Sequence, residues 1–142
     1  MSSEENEAIV REAVEAFNQN DLQAVDRLFA AGYVDHDPSR AGMPPGPESV
    51  KQAWSMLRAA FPDFQVTVED VISEGNKVAV RGVAGGTHKG ELMGIPPTGR
   101  RVTVTLIDIN RIENGRLVER WGETNMLGMM QQLGVVPQRA GG

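Results

Sequence analysis

The sequence predicts an α+β fold in which helices come first and a curved antiparallel or mixed sheet follows. Apolar residues recur at helical spacing as far as Pro62, and from Phe64 onward they alternate with polar residues. The dipeptide Asn114-Gly115 lies between two alternating stretches and is typical of a two-residue β-hairpin turn. Helices and strands segregated in this way indicate a cone, in which the sheet wraps around three N-terminal helices and leaves one open, partly apolar mouth.

Three amphipathic helices are predicted in the N-terminal part of the chain. The first begins near Ser3, where acidic residues complement the helix dipole, and the second begins at Asp21, a favoured N-cap residue. The third begins near Pro47, because proline is tolerated in a first turn, and Pro62 ends it. Residues 33–38 are predicted to be a short extended segment. The apolar faces of the second and third helices are Leu22, Val25, Leu28 and Phe29, and Val50, Ala53, Trp54, Leu57 and Phe61.

Four strands and a short terminal helix are predicted in the rest of the chain. The first strand begins at Phe64, and the other three cover residues 77–83, 102–112 and 116 to about 124. The terminal helix covers residues 126–133. The 142 residues fit a single domain, with a core over about residues 6–136.

Composition and charge disfavour several classes of protein. The net charge is -5 and no basic run occurs, so the sequence predicts no nucleic-acid partner. There is no cysteine, and the only histidines are His36 and His88, so no metal site is predicted. The glycine-rich segments match no nucleotide-binding motif, and no cofactor is predicted. Neither a signal peptide nor a membrane span is recognisable, so we expect a cytoplasmic protein with no membrane partner.

The hairpin turn implies a pairing of the last two strands. With a regular two-residue loop, Asp108 lies opposite Trp121 and Leu106 opposite Glu123, and these residues share one face with Asn125. Apolar walls with few polar groups are typical of a small-molecule pocket. The sequence therefore predicts that Asp108 and Trp121 line one cavity, although this could also be a solvated face on which the carboxylates only confer solubility.

The opposite face of the predicted hairpin is strongly apolar. It carries Ile107, Ile109, Val118 and Met126, with threonines between them. Apolar area of this kind is not expected to stay exposed on a soluble protein. The sequence therefore predicts a homodimer that forms through this face of the sheet.

Asp108 and the two histidines are the candidate acid–base groups. Asp108 interrupts an apolar run, and because burying a charge costs free energy, its presence there indicates a function. A carboxylate in a pocket can act as a general base. His36 lies between Asp35 and Asp37, either of which could orient its imidazole, or it is a surface histidine. For His88 a structural hydrogen bond is favoured.

Arg81 either pairs with Asp70 across the turn between their strands or enters the pocket. Together with the pocket residues above, it belongs to the candidate set for substrate binding. That set is Trp121, Asn125, Arg81, His88, Leu106 and Trp54.

Several motifs carry a resemblance to a known family. They are Val34-Asp35-His36-Asp37-Pro38, Gly86-Thr87-His88-Lys89-Gly90, Gly94-Ile95-Pro96-Pro97-Thr98-Gly99 and Gln131-Gln132-Leu133-Gly134. With these motifs the chain resembles the SnoaL-like polyketide cyclases, which belong to a cone-shaped α+β superfamily with ketosteroid isomerase and limonene epoxide hydrolase. The resemblance implies a ketosteroid-isomerase-like fold and a cofactor-independent enzyme. Such an enzyme closes a ring in a small apolar or aromatic carbonyl substrate by an intramolecular aldol step.

The resemblance also implies roles for individual residues. The family places its acid–base aspartate in a Trp-x-x-x-Asp pattern, where this chain has Trp121 and Asn125. An amide cannot exchange protons at neutral pH, so Asp108 is the nearest replacement as general base, with His36 assisting at the substrate oxygen. Asn125 would then orient a carbonyl group, and Trp121 would stack on a planar ring.

Two other functions remain open at this point. Epoxide hydrolysis in the superfamily uses an Asp–Arg–Asp arrangement, of which Asp108 and Arg81 could supply two members. The other is a non-catalytic small-molecule-binding module, which Asn125 favours.

Overall fold

The structure, a computed structural model, describes residues 2–137. They contain four α-helices, five strands and one short 3-10 helix, Pro38–Arg40. Their order is α1 (Ser3–Gln19), α2 (Leu22–Leu28), β1 (Phe29–Asp35), α3 (Pro47–Ala60), β2 (Gln65–Glu74), β3 (Lys77–Thr87), β4 (Arg101–Glu113), β5 (Arg116–Thr124) and α4 (Met126–Leu133). No helix within this part is long and apolar enough to cross a membrane.

The two N-terminal helices begin at side-chain caps. Ser2 is the N-cap of α1 and forms a capping box with Glu5, and the helix itself begins at Ser3, as predicted. The side chain of Asp21 accepts a hydrogen bond from the Ala24 amide and caps α2, as predicted.

The five strands form one mixed sheet in the order β1-β5-β4-β3-β2. All neighbours are antiparallel except β1 and β5, which are parallel. The α+β class and the mixed, cone-like sheet are therefore confirmed. The second helix is shorter than predicted, because it ends at Leu28 and Phe29–Asp35 pairs with β5 as an edge strand. Phe29 and Tyr33 of this strand are buried, so tertiary packing sets the boundary.

The hairpin turn at Asn114-Gly115 is confirmed, but the pairing beyond it is shifted. Both residues have positive φ, as a type I′ turn requires, and the pairs next to the turn are regular. A bulge at Val118 then adds one residue to β5, so that Asp108 lies opposite Gly122. The predicted pairing of Asp108 with Trp121 is wrong, because a one-residue shift turns every later side chain of β5 to the other face.

Two clusters of apolar side chains fill the concave side of the sheet. One packs α1, α2 and the first half of α3 against the sheet and includes Val25, Trp54, Val78 and Leu117. The other joins the end of α3 and α4 to the opposite end of β4 and includes Phe61, Phe64, Val102 and Met129. The middle of the concave face therefore lies between two apolar cores.

Candidate active site

A cluster of charged and polar side chains on the concave face is centred on Arg120. Its Nε donates to Asp108 Oδ2 at 3.1 Å, and its Nη1 lies 3.2 Å from both carboxylate oxygens of Asp35. Nη1 is also 3.4 Å from Asp37 Oδ2. Asn110 Nδ2 donates to the other oxygen of Asp108 at 2.9 Å. We call these five residues the polar cluster.

Sheet pairing brings these residues together from distant parts of the chain. The parallel pairing of β1 with β5 sets Asp35 beside Arg120, and the β4–β5 pairing sets Asp108 beside Gly122. The bulge at Val118 turns Arg120 toward the concave face. The local irregularity in β5 is therefore what completes the cluster.

The charged side chains of the polar cluster are largely buried, with 10% to 18% of each exposed. Burial acts to lower the pKa of Arg120, but the carboxylates of Asp108 and Asp35 outweigh it and raise that pKa. Burial acts to raise the pKa of Asp37, but two hydrogen bonds from Ser39 and the charge of Arg120 hold it below the ordinary value. Arg120 thus stays protonated among three carboxyl groups.

Tyr33 lies next to the polar cluster on β1. Burial raises the pKa of its phenol, and the negative charge of Asp35 adds to the rise. The phenol therefore remains neutral at any working pH.

Within residues 2–137 no group of three or more His, Asp or Glu side chains is arranged to hold a metal ion.

A pocket of about 110 Å³ opens beside Tyr33 and Asp35. It lies between β1 and the chain that leads into α3. We call it the β1 pocket. Its lining is Tyr33, Val34, Asp35, Arg40, Met43, Pro44, Pro45, Ser49 and Val50.

Asp108 and Leu106 are the two predicted site residues that lie on the concave face. Both belong to the alternate positions of β4 that point inward, as the sequence pattern indicated. Leu106 is partly buried and packs against the second apolar core. Asp108 is the only one of the predicted residues that joins the polar cluster.

His36 and Trp121 lie on the convex face of the sheet instead. His36 Nε2 is 2.6 Å from Glu119 Oε2, and its ring stacks on Trp121 with centroids 5.3 Å apart. Hydrogen bonds from His36 and from Arg111 lower the pKa of Glu119. The sheet separates His36 from Asp108, so the predicted pairing of these two groups in catalysis is wrong. Trp121 cannot line the cavity predicted for it, because the bulge reverses its face.

Arg81 and Asn125 are also engaged away from the polar cluster. Arg81 Nε donates to Asp70 Oδ2 at 2.7 Å in an exposed ion pair, so of the two predicted alternatives the pair with Asp70 is observed. Asn125 is exposed, and its Oδ1 accepts from the Gly128 amide at 2.9 Å and caps α4. A carbonyl-orienting role for Asn125 is not supported by this placement.

Trp54 and His88 serve the packing of the molecule. Trp54 contacts the rings of Phe17 and Phe29 edge-on within the first apolar core. His88 is fully buried, and its Nδ1 accepts from the Thr98 amide at 3.1 Å, which is the structural hydrogen bond that the sequence favoured. Neither side chain contacts the polar cluster.

Sequence reasoning missed Arg120, Asp35 and Asp37 as site residues. A usable signal was present in Tyr33-x-Asp35-x-Asp37, because alternate residues of a strand share a face and Tyr33 is a buried residue type. No comparable signal marks Arg120, since its face depends on the bulge.

The fold and the polar cluster together define a class of protein, the cone-shaped small-molecule enzymes with ionisable groups on a concave sheet. Comparison with known proteins narrows this class. The model of the SnoaL-like polyketide cyclase family matches residues 7–133. The chain belongs to this family, which confirms the resemblance in the sequence and the expected class of cyclase enzyme.

Named relatives agree with this assignment. The chain is 30% identical over 123 residues to a nogalonic acid methyl ester cyclase of Streptomyces nogalater, covering 85% of this chain and 91% of the relative. It is 31% identical over 133 residues to the aklanonic acid methyl ester cyclase DnrD of Streptomyces peucetius, covering 89% and 88%. The crystal structure of wild-type IdmH from Streptomyces antibioticus superposes with a TM-score of 0.80 at 39% identity, covering 91% of this chain and 98% of IdmH.

Proposed function

We propose that this protein closes a ring in a polyketide ester by an intramolecular aldol reaction, with Asp108 as the general base. The observation that carries the proposal is a largely buried carboxylate, Asp108, on the concave face of a chain in the cyclase family. Two relatives named as methyl ester cyclases support an ester substrate. The cluster needs no cofactor to move a proton.

The proposed reaction balances within the substrate and one carboxyl group. Asp108 removes a proton from a carbon flanked by carbonyl groups, and the resulting enolate forms a new bond to a ketone carbon. The alkoxide that results takes the proton back from Asp108. The chain thereby ends each cycle in its starting state.

Arg120 positions the base in this proposal. Its Nε holds one oxygen of Asp108 and the Asn110 amide holds the other, so the carboxylate has a fixed orientation. Each oxygen retains a second lone pair that can accept the substrate proton. Asp35 and Asp37 hold the guanidinium from its other side.

Replacing Asp108 by Asn tests the proposal. With nogalonic or aklanonic acid methyl ester as substrate, kcat/KM should fall by about 10²–10⁴ while the melting temperature shows an intact fold. Asp70→Asn is the matched control, because Asp70 forms an ion pair with Arg81 on the other face of the same sheet. Unchanged turnover in Asp108→Asn would reject the proposal, and binding without turnover by the wild type would support a binding module instead.

Epoxide hydrolysis is a second candidate, because the polar cluster contains the arrangement Asp35–Arg120–Asp108. The predicted arginine, Arg81, is not part of it. One carboxylate would take a proton from the attacking water while a carboxylic acid protonates the epoxide oxygen as its carbon–oxygen bond breaks. Diol formation from limonene oxide, lost in Asp35→Asn and Asp108→Asn, would favour this function over ring closure.

We also propose a homodimer that forms through the convex face. Five apolar side chains there are exposed by 37% to 71%: Val34, Ile72, Ile107, Ile109 and Trp121. Ile107 and Ile109 were predicted for this face, whereas Met126 packs against the second apolar core and does not belong to it. An apolar patch of this kind is typical of a protein–protein interface.

Light scattering at micromolar concentration measures this association. Ile107→Lys should weaken the dimer about tenfold or more, because it places a charge in the middle of the interface. Met56→Lys is the control, since Met56 is 66% exposed, against 58% for Ile107, but lies on α3. A monomeric wild-type chain would contradict the dimer.

A further inference from the structure

Arg40 is a half-buried cation that forms no ion pair among residues 2–137. The charged side chains of the neighbouring polar cluster are all paired with one another: Asp35, Asp37, Asp108 and Arg120. A half-buried guanidinium loses part of its hydration and needs a partner in return. Arg40 is therefore available to a negatively charged group of a bound molecule.

The 3-10 helix Pro38–Arg40 connects Arg40 to the polar cluster. Asp37 caps this helix, because its Oδ1 accepts from the Ser39 amide at 2.9 Å. The other oxygen of Asp37 lies 3.4 Å from Nη1 of Arg120. One carboxylate thus contacts Arg120 and also fixes the start of the turn that carries Arg40.

Arg40 lines the β1 pocket together with Asp35, which belongs to the polar cluster. Of the described residues in that lining, Arg40 is the only one with a positive charge. Burial is the main cause that raises the pKa of the Tyr33 phenol, and four charges also act on it: Asp35, Arg120, Arg40 and Asp108. Such an influence weakens with distance, so Arg40 and Asp108 both lie in the neighbourhood of the same phenol.

The proposed ring closure creates a negative charge that the polar cluster does not offset. When Asp108 takes the proton, the electron pair of the broken C–H bond moves onto a carbonyl oxygen of the substrate. Asp35 and Asp37 keep their negative charges and repel that oxygen. The charge of Arg120 is already offset by three carboxylates. An unpaired cation beside the cluster is what this step lacks, and Arg40 is one.

We propose that Arg40 is a catalytic residue whose guanidinium binds the enolate oxygen of the substrate in the β1 pocket. A carbon flanked by two carbonyl groups gives an enolate whose charge is shared by two oxygens, and the planar guanidinium can donate to both. The contact strengthens as the charge develops, so it lowers the barrier to proton removal. This inference rests on the cyclase function proposed above and adds a residue that the function does not yet use.

Two matched probes test the inference without any turnover. They are 1,3-cyclohexanedione, which is an enolate anion at pH 8, and 3-methoxy-2-cyclohexen-1-one, its uncharged methyl ether. NMR titration of the full chain at pH 8 should give a dissociation constant for the enolate at least about tenfold lower than for the ether, because hydrogen bonds to charged groups are the stronger ones. Arg40→Gln should abolish this preference and leave binding of the ether unchanged.

Turnover supplies the second measurement. With nogalonic acid methyl ester as substrate, Arg40→Gln should lower kcat/KM by about 10²–10³, as the loss of one oxyanion donor does. Its melting temperature should match that of the wild type, since Arg40 forms no ion pair in the described chain. Arg11→Gln is the control, because Arg11 is exposed on α1 and does not line the β1 pocket. This variant should leave both dissociation constants and kcat/KM unchanged.

The inference is overturned if the wild type binds the enolate no more tightly than the ether, or does not bind it. Unchanged enolate binding or unchanged turnover in Arg40→Gln would overturn it as well. If these results occur while Asp108→Asn still abolishes turnover, the role of Arg40 is wrong and the cyclase function stands. An enolate preference that depends on Arg40, in a wild type that closes no ring, would reject the cyclase function and retain the anion site.

Discussion

The guanidinium of Arg120 lies directly over Gly122, two residues further along the concave face of β5. A Cβ atom at position 122 would be 2.6 Å from Arg120 Cζ, closer than any real contact of this kind. Gly122 also lies opposite Asp108 in the sheet. The missing side chain therefore provides the space in which Arg120 reaches Asp108.

Gly122→Ala should displace Arg120 and weaken its hydrogen bond to Asp108. We expect the free energy of unfolding to fall by about 1–3 kcal/mol, because the guanidinium is held by three carboxylates and cannot move without losing contacts. Turnover should fall as well, since Asp108 loses its orientation. Urea denaturation measures the first effect. Gly32→Ala is the control, because a Cβ at Gly32 meets nothing within 4 Å, and equal stability of the two variants would contradict the prediction.

Asp37 should stabilise the fold in a pH-dependent manner. Its pKa in the folded state is below the ordinary value of 3.8, so its stabilisation is present above that value and is lost as the pH falls through the folded-state pKa. Asp37→Asn keeps an oxygen that can accept from Ser39 but removes the charge. The variant should be less stable than the wild type at pH 7, and the gap should close as the pH falls below 3.8. A gap that stays constant with pH, in chemical denaturation, would contradict this cause.

The fold and the position of Asp108 in the polar cluster follow from local patterns in the sequence. Alternation along β4 places Asp108 on the concave face, and Asn114-Gly115 specifies the turn, because both depend on neighbouring residues. The bulge at Val118 depends on how two strands pair over their whole length, and no turn residue marks it. The sequence therefore misplaces Trp121 and misses Arg120, although it predicts the strand that contains both.

The position of Asp35 beside Arg120 in the polar cluster depends on contacts between distant segments of the chain. Asp35 contacts Arg120 across 85 positions, through a parallel edge strand that the sequence shows only as a short extended piece. A strand of this kind has no turn to fix its partner, so local periodicity cannot reveal the contact. The position of His36 on the convex face follows from the same pairing, since its neighbours Asp35 and Asp37 point the other way.

The imidazole of His88 should be the tautomer whose proton is on Nε2. The amide of Thr98 donates to Nδ1, which must therefore be the unprotonated nitrogen. Nε2 is buried with no partner among the described residues. Long-range ¹H–¹⁵N NMR spectra should show this tautomer at pH 7. The variant Thr98→Val should lower the free energy of unfolding by about 1 kcal/mol, because it removes the contact between the Thr98 hydroxyl and the His88 ring. A proton on Nδ1 would contradict the assignment.

Asn125→Asp restores the aspartate of the family pattern and shows which position carries the chemistry. In this chain the side chain at 125 is exposed and caps α4, and an aspartate caps a helix equally well. We expect the variant to gain about 0.3–1 kcal/mol of stability from the helix dipole. Its turnover of nogalonic acid methyl ester should change far less than the factor of about 10²–10⁴ that a positioned acid–base group contributes, because Asp108 already supplies that group. A rise in kcat/KM of that size would show that position 125 carries the acid–base chemistry and that Asp108 does not.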